Sequence, residues 1–218
     1  MQTNRYPKFL ERKPPAVRDV FLRRKKDELL TPLAVRLPDV LHPNIISGVA
    51  LLAGLASAAA IAQRVWALGL LLWIANRTLD GLDGVVARVH ERQSDFGGYL
   101  DLLLDFVIYL TVPAAFVYAN PTPLNLWALA LLFASYVINT LSWTLLSALL
   151  EKRHRGAADR LTSVEMPGGL IEGAETIAFY TLFYFLPGYS AYLFLIFSLL
   201  VFVTAGQRIR WAARHLPD

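Results

Sequence analysis

Asp80, Asp83, Asp101 and Asp105 are the residues of this chain whose types and spacing could do chemistry. They stand in the pattern Asp80-x-x-Asp83-Gly84-x-x-Ala87-Arg88, then eight residues, then Gly97-x-x-x-Asp101-x-x-x-Asp105. On a helix, positions three or four apart share a face. Asp80, Asp83, Gly84 and Ala87 therefore line one face, with Arg88 at its edge. Gly97, Asp101 and Asp105 line a face of the next helix. The residues sharing those faces are small, which leaves room for a ligand or for close approach of helices. Charged side chains in an apolar setting are expensive and turn toward an interior partner. Four carboxylates with no run of Lys or Arg between them ask for a cation. Oxygen donors of this kind suit Mg²⁺, Mn²⁺ or Ca²⁺ rather than zinc or copper. The chain has no Cys, and none of its four His stands at a fixed position of the pattern. A competing explanation has the aspartates capping helix ends or pairing with Arg77, Arg88 and Arg92. It would serve for one aspartate, and serves poorly for four in two face-sharing sets.

The rest of the chain must carry these residues through an apolar medium. Of its 218 residues 56% are apolar, and its mean hydropathy is +0.44. Those values describe a one-domain membrane protein. Apolar runs of about 20 residues, the length that crosses a bilayer, fall at roughly 44–63, 66–89, 95–119, 123–150, 169–187 and 189–210. The fold expected is an all-α integral membrane protein with six transmembrane helices. The second run is apolar only from Val65 to Ala75 and then becomes the aspartate motif. Trp66, Trp73, Trp127, Trp143 and Trp211 are expected as interface anchors or packing residues.

Residues 1–43 form a separate basic segment ahead of this domain of residues 44–218. They hold ten of the 21 Lys and Arg, including Arg23-Arg24-Lys25-Lys26. Val17, Val20, Phe21, Leu29, Leu30, Leu33 and Leu37 recur at near-helical spacing. An amphipathic juxtamembrane helix on an anionic membrane surface is one reading; a solvated basic tail is the other. A nucleic-acid partner is not expected, since no recognised fold surrounds the basic patch. A signal peptide is not expected either, because the first apolar run starts late and more follow. Arg88, Arg92, Lys152, Arg153, Arg155, Arg160, Arg208, Arg210 and Arg214 join the basic segment on one side of the spans, and Arg64 alone lies opposite. By the positive-inside rule both termini and the motif face the cytosol, in a protein of the cytoplasmic membrane.

The aspartate pattern resembles, at every fixed position, the signature of the CDP-alcohol phosphotransferase (CDP-alcohol phosphatidyltransferase) family. Those are integral membrane enzymes of phospholipid synthesis. The resemblance implies six transmembrane helices, a homodimer, two divalent cations (Mg²⁺ or Mn²⁺) and a CDP-linked donor, with CDP-diacylglycerol expected. It also implies transfer of a phosphatidyl group to a small alcohol with release of CMP. Asp80, Asp83, Asp101 and Asp105 would hold the metal ions, and Asp105 would also take the acceptor's proton. Asp83, Gly84, Ala87, Arg88 and Gly97 would bind the nucleotide. His42-Pro43-Asn44-Ile45-Ile46-Ser47 is similar to the family's Pro-Asn-x-x-Thr/Ser element, where Asn44 would hold the cytidine or serve as an ordinary helix cap.

For the acceptor, Glu172 and Glu175 share a helical face, and Arg153, Arg155, Arg208 and Arg210 lie nearby in the topology. The branch of the family that uses phosphorylated inositol resembles this stretch but carries Arg where Gly173 and Thr176 stand here. A non-phosphorylated hydroxyl compound is therefore expected. Helix capping would also explain Glu172. The four His are expected at the interface without special roles. Two rivals are a Mg²⁺-dependent intramembrane prenyltransferase and a divalent-cation transporter. Neither explains the glycines, and a transporter does not explain carboxylates gathered near one membrane face.

Overall fold

The structure is a computed structural model that describes residues 17–38, 41–154 and 168–216. Among the described residues all regular structure is helical: α1 (Val17–Ala34), α2 (Pro43–Ala62), α3 (Trp66–Val89), α4 (Asp95–Ala119), α5 (Pro123–His154), α6 (Gly173–Phe185) and α7 (Ser190–His215). A 3-10 turn at Pro187–Tyr189 leads into α7. Helices α2 to α7 fall where the six apolar runs predicted them. Four stretches are long and apolar enough to cross a membrane: Pro43–Ala62, Asp95–Ala119, Pro123–Lys152 and Pro187–His215. Helix α3 has the length, but carries Arg77, Asp80, Asp83 and Arg88. Helix α6 has only 13 residues, about 20 Å at 1.5 Å per residue, and so falls short of the bilayer core by itself.

Short turns make α2, α3, α4 and α5 successively antiparallel, and the 3-10 turn reverses α6 into α7. The α2–α3 turn needs Arg64 at φ 61°, and the α3–α4 turn needs Glu91 at φ 53°. Helix α2 packs on both α3 and α4, while α5 packs on α7, and α6 bridges to α3 and α7. This alternation brings the starts of α2, α4 and α6 to the same end as the finishes of α3, α5 and α7. Gly54 of α2 lets α4 come close, since a Cβ there would stand 2.5 Å from Ile108 Cδ1. In lipid such contact comes from packing rather than from the hydrophobic effect. The outward faces stay apolar: Trp127, Val137 and Leu145 of α5 are exposed where lipid is the solvent.

The core is aromatic. Trp73 stacks on Tyr180 and Tyr184, Tyr180 packs on Phe183, and Phe183 meets Phe116 and Phe194. Phe116 in turn stacks on Trp66 at the far end of α3. Trp73 is therefore a packing residue, 1% exposed. Its Nε1 donates to Thr181 Oγ1 at 3.0 Å. A proline in α4 sets one detail of this core. Pro113 has no N–H, so the Tyr109 carbonyl four residues earlier loses its helical donor. The Tyr180 hydroxyl donates to that carbonyl at 2.6 Å. Having given its one proton there, Tyr180 accepts from Tyr136, 2.7 Å away.

Helix α1 forms as the basic segment's spacing suggested, over 17–34. Where its side chains are described it does not separate into polar and apolar faces. Leu30 and Ala34 are buried with Leu82, Val85 and Val86 of α3, yet Leu29 and Leu33 are exposed. Residues 1–16 of the predicted basic segment lie outside the described residues.

Candidate functional site

The aspartates come together at the end of the bundle where α3 finishes and α4 begins. Asp83 is buried and Asp80, Asp101 and Asp105 are half-buried. Each of the four lies within electrostatic reach of the others. The two helices deliver them as the spacing predicted: Asp80 and Asp83 from the last turns of α3, Asp101 and Asp105 from the first turns of α4. Ser94 caps α4, its Oγ accepting from the Gly97 N–H at 3.0 Å. Asn44 lies beside Gly97, its Oδ1 in ordinary contact distance, 3.5 Å, of where a Cβ would stand. Asn44 thus sits beside the motif. The cap of α2 is His42 instead, whose Nδ1 accepts from the Asn44 N–H at 3.2 Å, so His42 has a role that the sequence did not suggest.

Groups of α1, α2 and α3 meet the carboxylates. Ser47 of α2, at the Thr/Ser position of the Pro-Asn element, donates to Asp83 Oδ2 at 2.5 Å. Arg77 donates from Nη1 to Asp105 Oδ1 at 2.8 Å and stands 3.7 Å from Asp80 Oδ2. Lys26 of α1 lies within charge reach of Asp83 and Asp101. Its stem lies over Gly81, where a Cβ would be 3.2 Å from Lys26 Cδ. Asp101 makes no hydrogen bond or ion pair with any described residue. Arg88, expected to meet a phosphate, pairs with Asp27 of α1, Nη2 to Oδ1 at 2.6 Å. Gly84 is open, with only Arg88 Nη1 within 4 Å of where a Cβ would be.

Among the described residues, no group of three or more His, Asp or Glu forms a ready-made cation cage. The donor chemistry nevertheless fits a hard cation. The donors are all oxygen, and among the described residues Asp101 is unengaged and Asp80 has only its 3.7 Å contact with Arg77.

The predicted acceptor residues divide. Glu172 and Glu175 form a capping box at the start of α6, with Glu175 Oε2 accepting from the Glu172 N–H at 3.0 Å. Glu172 Oε1 also accepts from the Gly169 N–H at 2.8 Å. Arg208 donates from Nη1 to Asn139 Oδ1 at 2.6 Å and lies within charge reach of Glu172. Its Nε is buried with no partner among the described residues. The side chain of Arg153, and Arg155 entirely, lie outside the described residues.

The sequence profile of the CDP-alcohol phosphatidyltransferases matches residues 40–206, which include every fixed position of the aspartate pattern. The chain belongs to the CDP-alcohol phosphatidyltransferase family. It is 40% identical over 144 residues to the inner membrane protein YnjF of Escherichia coli (strain K12), covering 64% of this chain and 68% of that one. It is 35% identical over 120 residues to the bifunctional IPC transferase and DIPP synthase of Aquifex aeolicus (strain VF5), covering 54% of this chain but 27% of that protein. A CDP-alcohol phosphatidyltransferase of this kind is a membrane transferase of substituted phosphate groups. Family membership speaks against the prenyltransferase and transporter readings. The aromatic core below Arg77 adds a physical reason, since no path lined by carboxylates continues through it.

Proposed function

We propose that this family member transfers a phosphatidyl group from CDP-diacylglycerol to a small, non-phosphorylated alcohol, releasing CMP. The observation that carries the reading is the meeting of Asp80, Asp83, Asp101 and Asp105 at one end of the bundle, beside Asn44 and Arg88. Asp80, Asp83 and Asp101, with Asp105, would hold two Mg²⁺ or Mn²⁺ ions. When bound, such ions neutralise the charge of a diphosphate and of its leaving group.

The protein's own groups account for the remaining needs of the reaction. Asp105 has one oxygen engaged by Arg77, which leaves Oδ2 to take the acceptor's hydroxyl proton. The new bond joins the acceptor oxygen to the lipid phosphorus. The bond from that phosphorus to the bridging oxygen breaks, and CMP leaves with the electron pair. Gly84 lets the nucleotide lie close to the backbone, Asn44 and Ala87 border the cytidine, and Gly97 lies beside Asn44. Arg88 exchanges Asp27 for a donor phosphate, a charge-assisted pairing of the stronger kind.

The proposal extends to topology. Six crossings, a homodimer, cytosolic termini and a cytosolic site follow from the charge asymmetry and from the family resemblance. For the acceptor, Glu172, Glu175 and Arg208 stand at the site's end of the bundle, and Glu172 and Glu175 would hydrogen-bond a polyol or pair with an amine. Purified protein given CDP-diacylglycerol and a panel of alcohols tests the reading. CMP release that depends on one alcohol supports it, and no CMP release with any donor–acceptor pair overturns it.

A further inference from the structure

Arg77 is a charge placed where charge is expensive. Its side chain is 8% exposed, it lies midway along a helix in an apolar bundle, and the family pattern does not include it. The structure surrounds it closely. Nε donates to Asn76 Oδ1 at 2.7 Å, and Nη1 donates to Asp105 Oδ1 at 2.8 Å and to the Tyr109 hydroxyl at 3.2 Å. The guanidinium lies over the Trp73 ring at 5.0 Å and the Tyr109 ring at 5.4 Å. Asn76 is itself anchored, its Nδ2 donating to the Ala50 carbonyl at 2.7 Å. A planar, delocalised cation suits such a seat, with rings at its faces and oxygens at its edge. Lysine would keep the charge and lose the fork.

We propose that Arg77 is a positioning residue for the transfer reaction. It fixes Asp105 by one oxygen and holds a permanent positive charge inside the carboxylate cluster. The rigidity of the seat decides between this role and that of a cation which leaves when metal enters. Displacing Arg77 would break contacts on α3 and α4 together, one of them to an Asn76 that is itself tied to α2, so Arg77 stays while ligands come and go. Two consequences follow. Asp105 is aimed before substrate arrives, so removing the fork lowers the rate rather than donor binding. The fixed charge also repels an incoming divalent cation, so metal binding in this enzyme is weaker than its carboxylates alone would give.

The inference rests on the transferase reading above, and the test separates the two. Purified wild type, Arg77→Lys and Arg77→Met are compared for CMP release and, by titration of the metal alone, for Mn²⁺ affinity. Arg77→Lys should keep wild-type thermal stability, Mn²⁺ affinity and donor KM while kcat falls about 10- to 100-fold, the usual effect of losing a partner that orients a ligand. Arg77→Met should bind Mn²⁺ more tightly than wild type while turning over more slowly, opposite signs that loosened packing cannot produce. Wild-type kcat in Arg77→Lys overturns the positioning role. Unchanged or weaker Mn²⁺ binding in Arg77→Met overturns the charge role, and that arm stands whether or not the protein turns over. A wild type that releases no CMP overturns the transferase reading, and with it the role in turnover.

Discussion

Ser47 of α2 and Asp83 of α3 meet through a hydroxyl-to-carboxylate hydrogen bond of 2.5 Å, both side chains buried. It ties the Pro-Asn element to the aspartate motif. Ser47→Ala removes the donor and leaves a buried carboxylate short of a partner. Thermal unfolding in detergent should show a loss of about 1.5–3 kcal/mol, the range for a hydrogen bond to a charged group. Ser47→Thr should retain most of the stability. A wild-type midpoint in Ser47→Ala would mean that the bond adds nothing.

The carboxylates should also divide by function. Asp105→Asn is expected to abolish turnover while leaving nucleotide binding largely intact, because the group that takes the proton is lost. Asp80→Ala and Asp101→Ala should lose metal and nucleotide binding together. Calorimetry with CDP checks this, and equal loss of binding in all three variants would remove the separate role of Asp105.

Turnover should stop in excess chelator and return with Mg²⁺ or Mn²⁺, since among the described residues the four clustered carboxylates share only Arg77 and Lys26 as cations acting on them. CMP release that continues undiminished in chelator would end the metal proposal.

The acceptor prediction turns on charge. A phosphomonoester carries nearly two negative charges and normally recruits Arg or Lys, yet Gly173 and Thr176 stand here and the adjoining Glu172 and Glu175 cap α6. Inositol, glycerol, serine and choline compete in one assay against inositol phosphate and glycerol phosphate. Faster product formation with either phosphorylated compound would shift the acceptor site to Arg208 and its neighbours.

Tyr180 offers a prediction about the core. Tyr180→Phe leaves the Tyr109 carbonyl without a donor and the Tyr136 hydroxyl without an acceptor, and should cost about 1–3 kcal/mol. Pro113→Ala restores the missing N–H, so the same Tyr180→Phe change should cost less in that background. Unfolding midpoints of the single and double variants form the cycle; strict additivity would show that the carbonyl does not depend on Tyr180.

Much of the architecture could be read from the chain because it rests on local regularities. Apolar runs of bilayer length located α2 to α7, and the four-residue spacing of Gly97, Asp101 and Asp105 put them on one helical face. The short α6 was harder to foresee, since Gly168 and Gly169 continue its apolar run without joining its helix. What pairs across helices left no local trace. Arg77 was visible as a costly intramembrane charge, but its partner Asp105 lies 28 residues away. Ser47 was visible within its motif while Asp83, 36 residues on, was not visible as its partner. Pro113 frees a carbonyl, but nothing local names Tyr180 as the group that satisfies it. Capping by Glu172 was one of two explanations open at that position, and the capping box is the one whose contacts are present.

The series of rings from Trp73 to Trp66 has an electrical consequence. No Asp, Glu, Lys or Arg lies along the helices between the level of Arg77 and the far turn at Arg64. In an energised membrane the voltage falls across such a poorly conducting section, and carrying one charge through 100 mV costs about 2.3 kcal/mol. Cations held as proposed at the carboxylate end would stay outside that section and its share of the drop. Metal bound there as proposed should therefore show the same occupancy in polarised and depolarised vesicles.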